Sequence, residues 1–150
     1  SNFEGPYGEV IPRFVIRVLS NLPPIIFGDG KQTRDFTYVA DTVEGIVSAS
    51  KNDKLVGDAL NIAFGEERSI NEVARIVLKT IGKTNLKIVY QEARPGDVKR
   101  HFADIKKAKN ILHFSPKISL EEGIARYIEW LKKEKINTKQ ALKKIEERNW

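Results

Sequence analysis

Two arginines on separate loop segments give this chain its clearest chemical signal. Arg34 follows the glycine turn Gly28-Asp29-Gly30, and Arg94 opens the segment Arg94-Pro95-Gly96-Asp97. A guanidinium presents a planar fork of donors that matches phosphate oxygens, so two of them suit a diphosphate. Asp97 would accept hydrogen bonds from ribose hydroxyls, and Asn2 would hydrogen-bond a phosphate or a sugar hydroxyl.

Ordinary structural roles compete with each of these assignments. Arg34 could pair with a neighbouring surface aspartate, and Arg94 could form a salt bridge with Asp97 inside its own loop. Phe27, at the end of an apolar strand, suits a nucleobase and core packing equally well. The occurrence of both arginine loops on one small unit favours a phosphate-and-sugar site.

Other catalytic and cofactor-binding motifs are absent from the sequence. Gly28 and Gly30 supply only the first two glycines of a dinucleotide-binding fingerprint, and no tyrosine is followed by lysine four residues later. There is no cysteine, and the two histidines, His101 and His113, have no metal-site spacing. We therefore predict no catalytic residue, no metal site and no NAD site on this segment; His101 is placed at the rim of the arginine site.

Composition indicates one globular domain of 150 residues, with 41% hydrophobic and 31% charged residues. The net charge is +6, but Glu is interleaved with Lys and Arg, which favours a solvated surface over nucleic-acid binding. A basic nucleic-acid-binding module is the alternative from another class. With no signal peptide and no long apolar run, we expect a cytoplasmic protein without membrane contact. The lack of methionine predicts a piece of a longer polypeptide.

Apolar periodicity predicts an α/β fold in which short strands are flanked by helices. Strands are expected at residues 24–27, 60–64 and 87–90, and helices at 10–21 and after Asp41, Ser69, Asp104 and Ser119. Asp41-x-x-Glu44, Ser69-x-x-Glu72 and Ser119-x-x-Glu122 have the pattern of helix starts. The helix after Asp41 is expected to bury Val43, Ile46 and Val47. The polar tail is predicted to be a surface helix, and three short strands make an incomplete sheet.

An ordered set of motifs resembles the extended short-chain dehydrogenase/reductase family of NAD-dependent nucleotide-sugar epimerases and dehydratases. The motifs are Asn2-x-x-Gly5-Pro6-Tyr7, Val10-Ile11-Pro12-Arg13-Phe14, the segment from Phe27 to Asp41, Asn61-Ile62-Ala63, Arg94-Pro95-Gly96-Asp97 and Ala103-Asp104-Ile105-x-Lys107-Ala108. They extend from residue 1 to about residue 133 and resemble only the carboxyl-terminal, substrate-binding part of such enzymes.

The resemblance implies a nucleotide-sugar-binding region over residues 1–135 and a polar extension over 136–150. It implies that Asn2 contacts the substrate, that Arg34 and Arg94 bind the phosphates, and that Asp97 contacts the ribose. NAD would bind an amino-terminal Rossmann domain missing from this sequence, so the segment alone is expected to be inactive.

The form of the Arg94 segment is more similar to UDP-glucose 4-epimerases than to 4,6-dehydratases. A segment of a dTDP-glucose 4,6-dehydratase or of a UDP-glucuronate decarboxylase is the alternative on the same scaffold. A homodimer contact through helix 10–21 is a further alternative.

Overall fold

A computed structural model of the protein describes residues 10–146, which form a mixed α/β unit. The helices of this part are α1 (Val10–Leu19), α2 (Val39–Ser50), α3 (Ile70–Ile81), α4 (Lys106–Leu112), α5 (Leu120–Lys133) and α6 (Thr138–Glu146). The strands are β1 (Ile25–Phe27), β2 (Thr33–Asp35), β3 (Glu67–Ser69), β4 (Val89–Gln91) and β5 (Arg100–His101). The predicted fold class, short strands with flanking helices, is confirmed.

The strands form two small sheets that bring distant segments together. In the first sheet β1 runs parallel to β4, with Ile25 opposite Val89 and Phe27 opposite Gln91. In the second sheet β2 is central, antiparallel to β3 and parallel to β5. The end of β1, the start of β2 and the segment between β4 and β5 therefore converge, which places the two arginine loops side by side.

The hydrophobic core lies between α1, α3 and α5. α1 is buried along most of its length, α3 contributes one apolar stripe, and α5 adds a third stripe at helical spacing. The fully buried core side chains include Phe14, Val15, Ile16, Val18, Val73, Val77 and Ile124. α6 packs against α1, and Ala141 on α6 is 3% exposed, so the polar tail contributes to this core.

Two of the three predicted helix starts are confirmed by capping geometry. The Ser69 hydroxyl accepts from the Glu72 backbone N–H, and the Glu72 carboxylate accepts from the Ser69 N–H at 2.8 Å, a complete capping box. Ser119 accepts from the Glu122 N–H in the same way. α3 ends at Gly82 in the left-handed region, as its sequence predicts.

The third predicted start, at Asp41, is wrong. The N-cap of α2 is Tyr38, three residues before Asp41, and no side chain caps the helix. The Asp41 carboxylate is 2% exposed and accepts instead from the backbone N–H groups of Lys117 and Ile118. Glu44 does not fold back on the helix start, since its carboxylate pairs with the Lys117 ammonium at 2.8 Å. A long-range contact has taken the place of a local cap.

The predicted buried face of α2 is also wrong. Val43, Ile46 and Val47 are 52%, 58% and 44% exposed. α2 instead packs through Gly45, where an added Cβ would lie 2.6 Å from the Ile62 side chain. The apolar stripe therefore faces outward within the part of the chain that the structure describes.

The strand predicted at 60–64 does not form. The backbone N–H groups of Phe64 and Gly65 donate to the Asp35 carboxylate at 3.1 and 3.0 Å, so they are not available to a strand ladder. The short strands β2, β3 and β5, which the sequence analysis did not predict, form instead. Across residues 10–146, no helix has the length and apolar character to span a membrane.

Candidate functional site

One large cavity brings together most of the residues that the sequence singled out. It has a volume of about 1000 Å³ and lies between the first turn of α1, the ends of β1 and β2, the Arg94 segment and the start of α5. Phe27, Arg34, Arg94 and Asp97 all line it, and so does His101. Asn2 lies outside the described residues.

Arg34 is fixed by three hydrogen bonds on one side of the cavity. Its Nη1 donates to the carbonyl oxygens of Thr33 and Val98 at 2.8 and 2.6 Å. Its Nη2 donates to Asp97 Oδ1 at 2.5 Å, an ion pair in which both side chains are about one-third exposed or less. These contacts join β2 to the Arg94 segment and hold the guanidinium in one orientation.

Arg94 is held differently, by an aromatic ring. Its Cζ lies 3.8 Å from the centroid of the Phe27 ring, in cation–π geometry. Its Nε is buried and makes no hydrogen bond to any residue that the structure describes. Because Arg94 covers one face of Phe27, a nucleobase could stack only on the other face or along the ring edge.

Asp97 is already engaged within the protein. Besides Arg34, it accepts a hydrogen bond from Gln32 Nε2 at 3.3 Å, and the same amide donates to the Phe27 carbonyl oxygen at 2.9 Å. A carboxylate has about four acceptor positions, so Asp97 keeps capacity for a ribose hydroxyl. The alternative role considered for Arg94, a salt bridge with Asp97, is not formed; Arg34 pairs with Asp97 instead.

The glycine turn between β1 and β2 is held by contacts with α3 and β4. Asn71, at the start of α3, donates to the Asp29 carbonyl oxygen at 2.9 Å and accepts from the Tyr90 hydroxyl at 2.9 Å. Gly30 has φ +71°, and an added Cβ would meet Asn71 Oδ1 at 2.5 Å. This close approach fixes the turn that sets Phe27 and Arg34 relative to each other.

Arg13 also lines the cavity, although its place in the motif Val10-Ile11-Pro12-Arg13-Phe14 did not indicate a role. It lies in the first part of α1 and lines the same cavity as Arg34 and Arg94. Burial lowers the pKa of its guanidinium, and the charges of Arg94 and Arg17 lower it further. The signal that could have found it is a charged residue one position before the buried Phe14, inside a strongly apolar helix.

The opposite end of the cavity is aromatic and was not predicted as a site. The rings of Tyr127 and Trp130 stack with their centroids 6.0 Å apart. Arg126 Cζ lies 5.5 Å from the Tyr38 ring centroid, and its guanidinium pairs with Glu122 at 2.6 Å. The cavity thus has a cationic end at β1 and β2 and an aromatic end at α5.

The two histidines lie in different parts of the structure. His101 lines the cavity, on β5 beside Arg34. His113 is the C-cap of α4, in the left-handed region with φ 52°. Among the described residues no group of three or more histidines and carboxylates could hold a metal ion.

Comparison with known proteins identifies the family. Residues 1–127 match the family model described as GDP-mannose 4,6 dehydratase. The chain therefore belongs to this family, whose relatives here are nucleotide-sugar epimerases and decarboxylases of the extended short-chain dehydrogenase/reductase type.

Two curated relatives and one solved structure illustrate the similarity. The chain is 42% identical over 133 residues to a putative UDP-glucose 4-epimerase of Methanocaldococcus jannaschii, covering 86% of the chain and 41% of the relative. It is 36% identical to a UDP-N-acetyl-alpha-D-glucosaminuronate decarboxylase of Bacillus cytotoxicus, with coverage of 86% and 41%.

The solved structure is a mutant UDP-glucuronic acid 4-epimerase of Bacillus cereus in complex with UDP-4-deoxy-4-fluoro-glucuronic acid and NAD. It superposes with a TM-score of 0.78 at 34% identity, covering 85% of this chain and 40% of that one. The chain thus spans about two-fifths of the length of the proteins it matches.

Proposed function

We propose that this chain is the nucleotide-sugar-binding portion of an NAD-dependent sugar 4-epimerase, acting on a UDP sugar such as UDP-glucose. The observation that carries the proposal is the convergence of Arg34 and Arg94 on one cavity, with Phe27 and Asp97 between them. Arg34 is immobilised by backbone and carboxylate contacts, and the Arg94 Nε is buried without a hydrogen bond in the described part of the chain. A diphosphate would accept hydrogen bonds from the remaining donors of both guanidinium groups.

Among the residues that the structure describes, the glycine turn does not fit NAD. The turn at Gly28 and Gly30 leads into strand β2, whereas a dinucleotide-binding turn leads into the N-terminus of a helix. We propose that NAD, which the Bacillus cereus relative binds, is held by a Rossmann portion outside this chain. The chain's own residues would bind and orient the nucleotide sugar, and we expect no turnover by the chain alone.

Isothermal titration with UDP and with UDP-glucose tests the proposal. We expect weak binding, in the range of about 0.1–1 mM, because this chain would supply only part of the pocket. The variant Arg94→Gln should lose most of this binding affinity. Arg75→Gln is the matched control, since Arg75 is exposed on α3 and lies away from the cavity. A folded chain that ignores both ligands at millimolar concentration would overturn the proposal.

A decarboxylase of nucleotide-sugar uronic acids is the second candidate function. The 36% identity to the Bacillus cytotoxicus relative favours it. Both reactions use a diphosphate-linked sugar, so the arginine site does not distinguish them. Product analysis of the longer protein with UDP-glucose and UDP-glucuronic acid separates the two, because only decarboxylation releases carbon dioxide.

We also propose a docking surface for the Rossmann portion, the α2 apolar face, formed by Val39, Val43, Ile46 and Val47. Each of these side chains is 44–66% exposed. Val39 also lines the cavity, so the face is continuous with the cavity mouth, where a second half of a pocket would be added. The length of the relatives that this chain does not span favours a portion of the same protein as the occupant.

A chimera tests this surface. The chain would replace the matching part of the Methanocaldococcus jannaschii relative, with the double variant Val43→Ser/Ile46→Ser. We expect the chimera to lose thermal stability, while the isolated chain changes little because both side chains are already exposed. Val56→Ser is the control, since Val56 is 84% exposed and lies off α2. Equal effects of the double variant and the control would contradict the proposal, and self-association abolished by the double variant would indicate a second copy instead.

A further inference from the structure

We propose that Gln32 is a positioning residue of this site, whose amide orients the Asp97 carboxylate for the ribose of a nucleoside diphosphate and so favours ribonucleotides over deoxyribonucleotides. The inference rests on the proposed function and adds a residue to its site. Gln32 lies within the motif from Phe27 to Asp41, but the family resemblance gave it no role.

The Gln32 side chain joins two separate segments of the cavity wall. Its Nε2 donates to the Phe27 carbonyl oxygen at 2.9 Å, at the end of β1, and to Asp97 Oδ2 at 3.3 Å, between β4 and β5. Both partners are acceptors, so the orientation of the amide follows from its chemistry. A flipped amide would place its oxygen against a carbonyl and a carboxylate. The two amide hydrogens therefore match these two acceptors.

A second donor holds the other oxygen of the same carboxylate. Arg34 Nη2 donates to Asp97 Oδ1, whereas Gln32 donates to Oδ2. Gln32 immediately precedes β2 and lies two positions before Arg34, so the two side chains extend to the same side of the strand and reach one carboxylate. With one donor on each oxygen the carboxylate has a fixed orientation, and each oxygen keeps one further acceptor position.

This carboxylate depends on outside contacts because the segment that carries it has no regular structure. Residues 92–99 form no helix or strand and are exposed along most of their length. Three consecutive residues hold the segment from the other side of the cavity. Gln32 and Arg34 do so through their side chains, and the backbone N–H of Thr33 donates to the Lys99 carbonyl oxygen at 2.9 Å.

Loss of the Gln32 amide would change what Asp97 offers to a ligand. With Oδ2 released, the carboxylate could turn until the Arg34 fork binds both oxygens, which is the geometry that a guanidinium favours. Acceptor positions that a ribose hydroxyl would use are then occupied by Arg34. The effect should therefore appear in the preference for a nucleotide with ribose hydroxyls over one without them.

The test compares UDP with dideoxy-UDP, which lacks both ribose hydroxyls, by nuclear magnetic resonance titration of the chain. We expect the wild type to bind UDP about tenfold more tightly, as for one hydrogen bond to a charged acceptor. Gln32→Met has a similar size but no N–H donor. It should weaken UDP binding about fivefold and dideoxy-UDP binding less than about twofold.

Two further variants serve as controls. Gln140→Met is the matched control, since Gln140 is exposed on α6 and does not line the cavity; both affinities should stay as in the wild type. In an Asp97→Ala background, Gln32→Met should leave the ratio of the two affinities unchanged, because Gln32 acts through that carboxylate.

The outcomes separate the inference from the proposed function. If the wild-type chain binds neither nucleotide, the proposed function fails and the inference fails with it. If it binds both equally, the ribose contact of Asp97 and the role of Gln32 are refuted while the arginine site stands. If Gln32→Met keeps the tenfold ratio, or loses both nucleotides by the same factor, Gln32 does not position Asp97.

A second variant decides the case in which Gln32→Met does not fold. Gln32→Glu keeps the shape but sets a carboxylate against the Asp97 carboxylate, so the affinity ratio should fall to about twofold or less. Its added charge opposes both diphosphates alike, which leaves the ratio as the measure. An unchanged ratio, or failure of both variants to fold, would overturn the inference.

Discussion

Replacement of Asp41 by alanine should destabilise the protein more than any substitution of an exposed charged residue. The carboxylate is 2% exposed and accepts from the backbone N–H groups of Lys117 and Ile118 at 3.1 and 3.0 Å. A hydrogen bond to a charged acceptor contributes about 1.5–3 kcal/mol, and the segment at Lys117 is partly exposed, so the lower value applies. The expected loss is about 3 kcal/mol in the free energy of unfolding, or roughly 6–12 °C in melting temperature for a chain of this size.

Urea denaturation measures this loss, and two variants calibrate it. Asp41→Asn keeps the shape and one acceptor oxygen, so it should cost about half as much as alanine. Glu44→Gln removes the ion pair between Glu44 and the side chain of the same Lys117, but that pair is exposed and should contribute less than about 1 kcal/mol. The buried and the exposed contact of one segment are thereby compared directly.

The reasoning would be refuted if Asp41→Ala and Glu44→Gln had the same cost. A large cost has a functional consequence as well, because Asp41 joins the start of α2 to the segment before α5. Val39 on α2 and Leu120 on α5 both line the cavity. Asp41→Ala should therefore also weaken UDP binding in a chain that is still folded at the assay temperature.

Two further predictions concern the turn and the second sheet. Gly30→Ala should lower the free energy of unfolding more than Gly57→Ala does. Both glycines have positive φ, but only the Cβ added at Gly30 would meet the Asn71 side chain, at 2.5 Å. Equal losses in urea denaturation would exclude this close approach. Hydrogen bonds from the Arg100 guanidinium and then from the Thr33 hydroxyl lower the pKa of Glu67 from 4.5 to about 2. Because the folded pKa lies below the unfolded one, this stabilisation is complete above about pH 4.5 and is lost as the pH falls toward 2. Melting temperatures of Glu67→Gln should therefore fall less than those of the wild type over this range, and parallel curves would contradict the assignment.

The elements that could be predicted from sequence are those whose ends carry local signals. The hydroxyls of Ser69 and Ser119 cap their helices by accepting from the backbone N–H three residues later. Gly82 adopts a left-handed conformation that few other residues tolerate. The strands β2, β3 and β5 could not be predicted, because they are two or three residues long and polar. Their pairing depends on segments more than thirty residues away.

The candidate site, too, could be predicted from the sequence only in part. The ordered motifs located Arg34, Arg94, Phe27 and Asp97, and the structure places all four around one cavity. The pairing of Arg34 with Asp97 could not be derived from spacing, since 63 positions separate them. Arg13 was missed because an arginine on an amphipathic helix, such as Arg13 or Arg17 on α1, has the pattern of an ordinary surface residue.

The α2 apolar face shows that hydrophobic periodicity predicts an amphipathic helix but does not predict what its apolar side packs against. Val39, Val43, Ile46 and Val47 recur at helical spacing, yet α2 uses its other side, with Asp41 and Gly45, inside this chain.

The size of this face argues for its occupant. Full burial of such a side chain contributes about 1.5–3 kcal/mol, and these side chains are about half exposed, so covering all four contributes roughly 3–6 kcal/mol. Association of two separate chains costs about 4–15 kcal/mol in lost translational and rotational freedom, a range that overlaps the roughly 6–12 kcal/mol gained when two copies bury this face on each other. A portion of the same polypeptide bears little of that cost, which favours a covalently linked Rossmann portion over a second copy as the proposed occupant of the face.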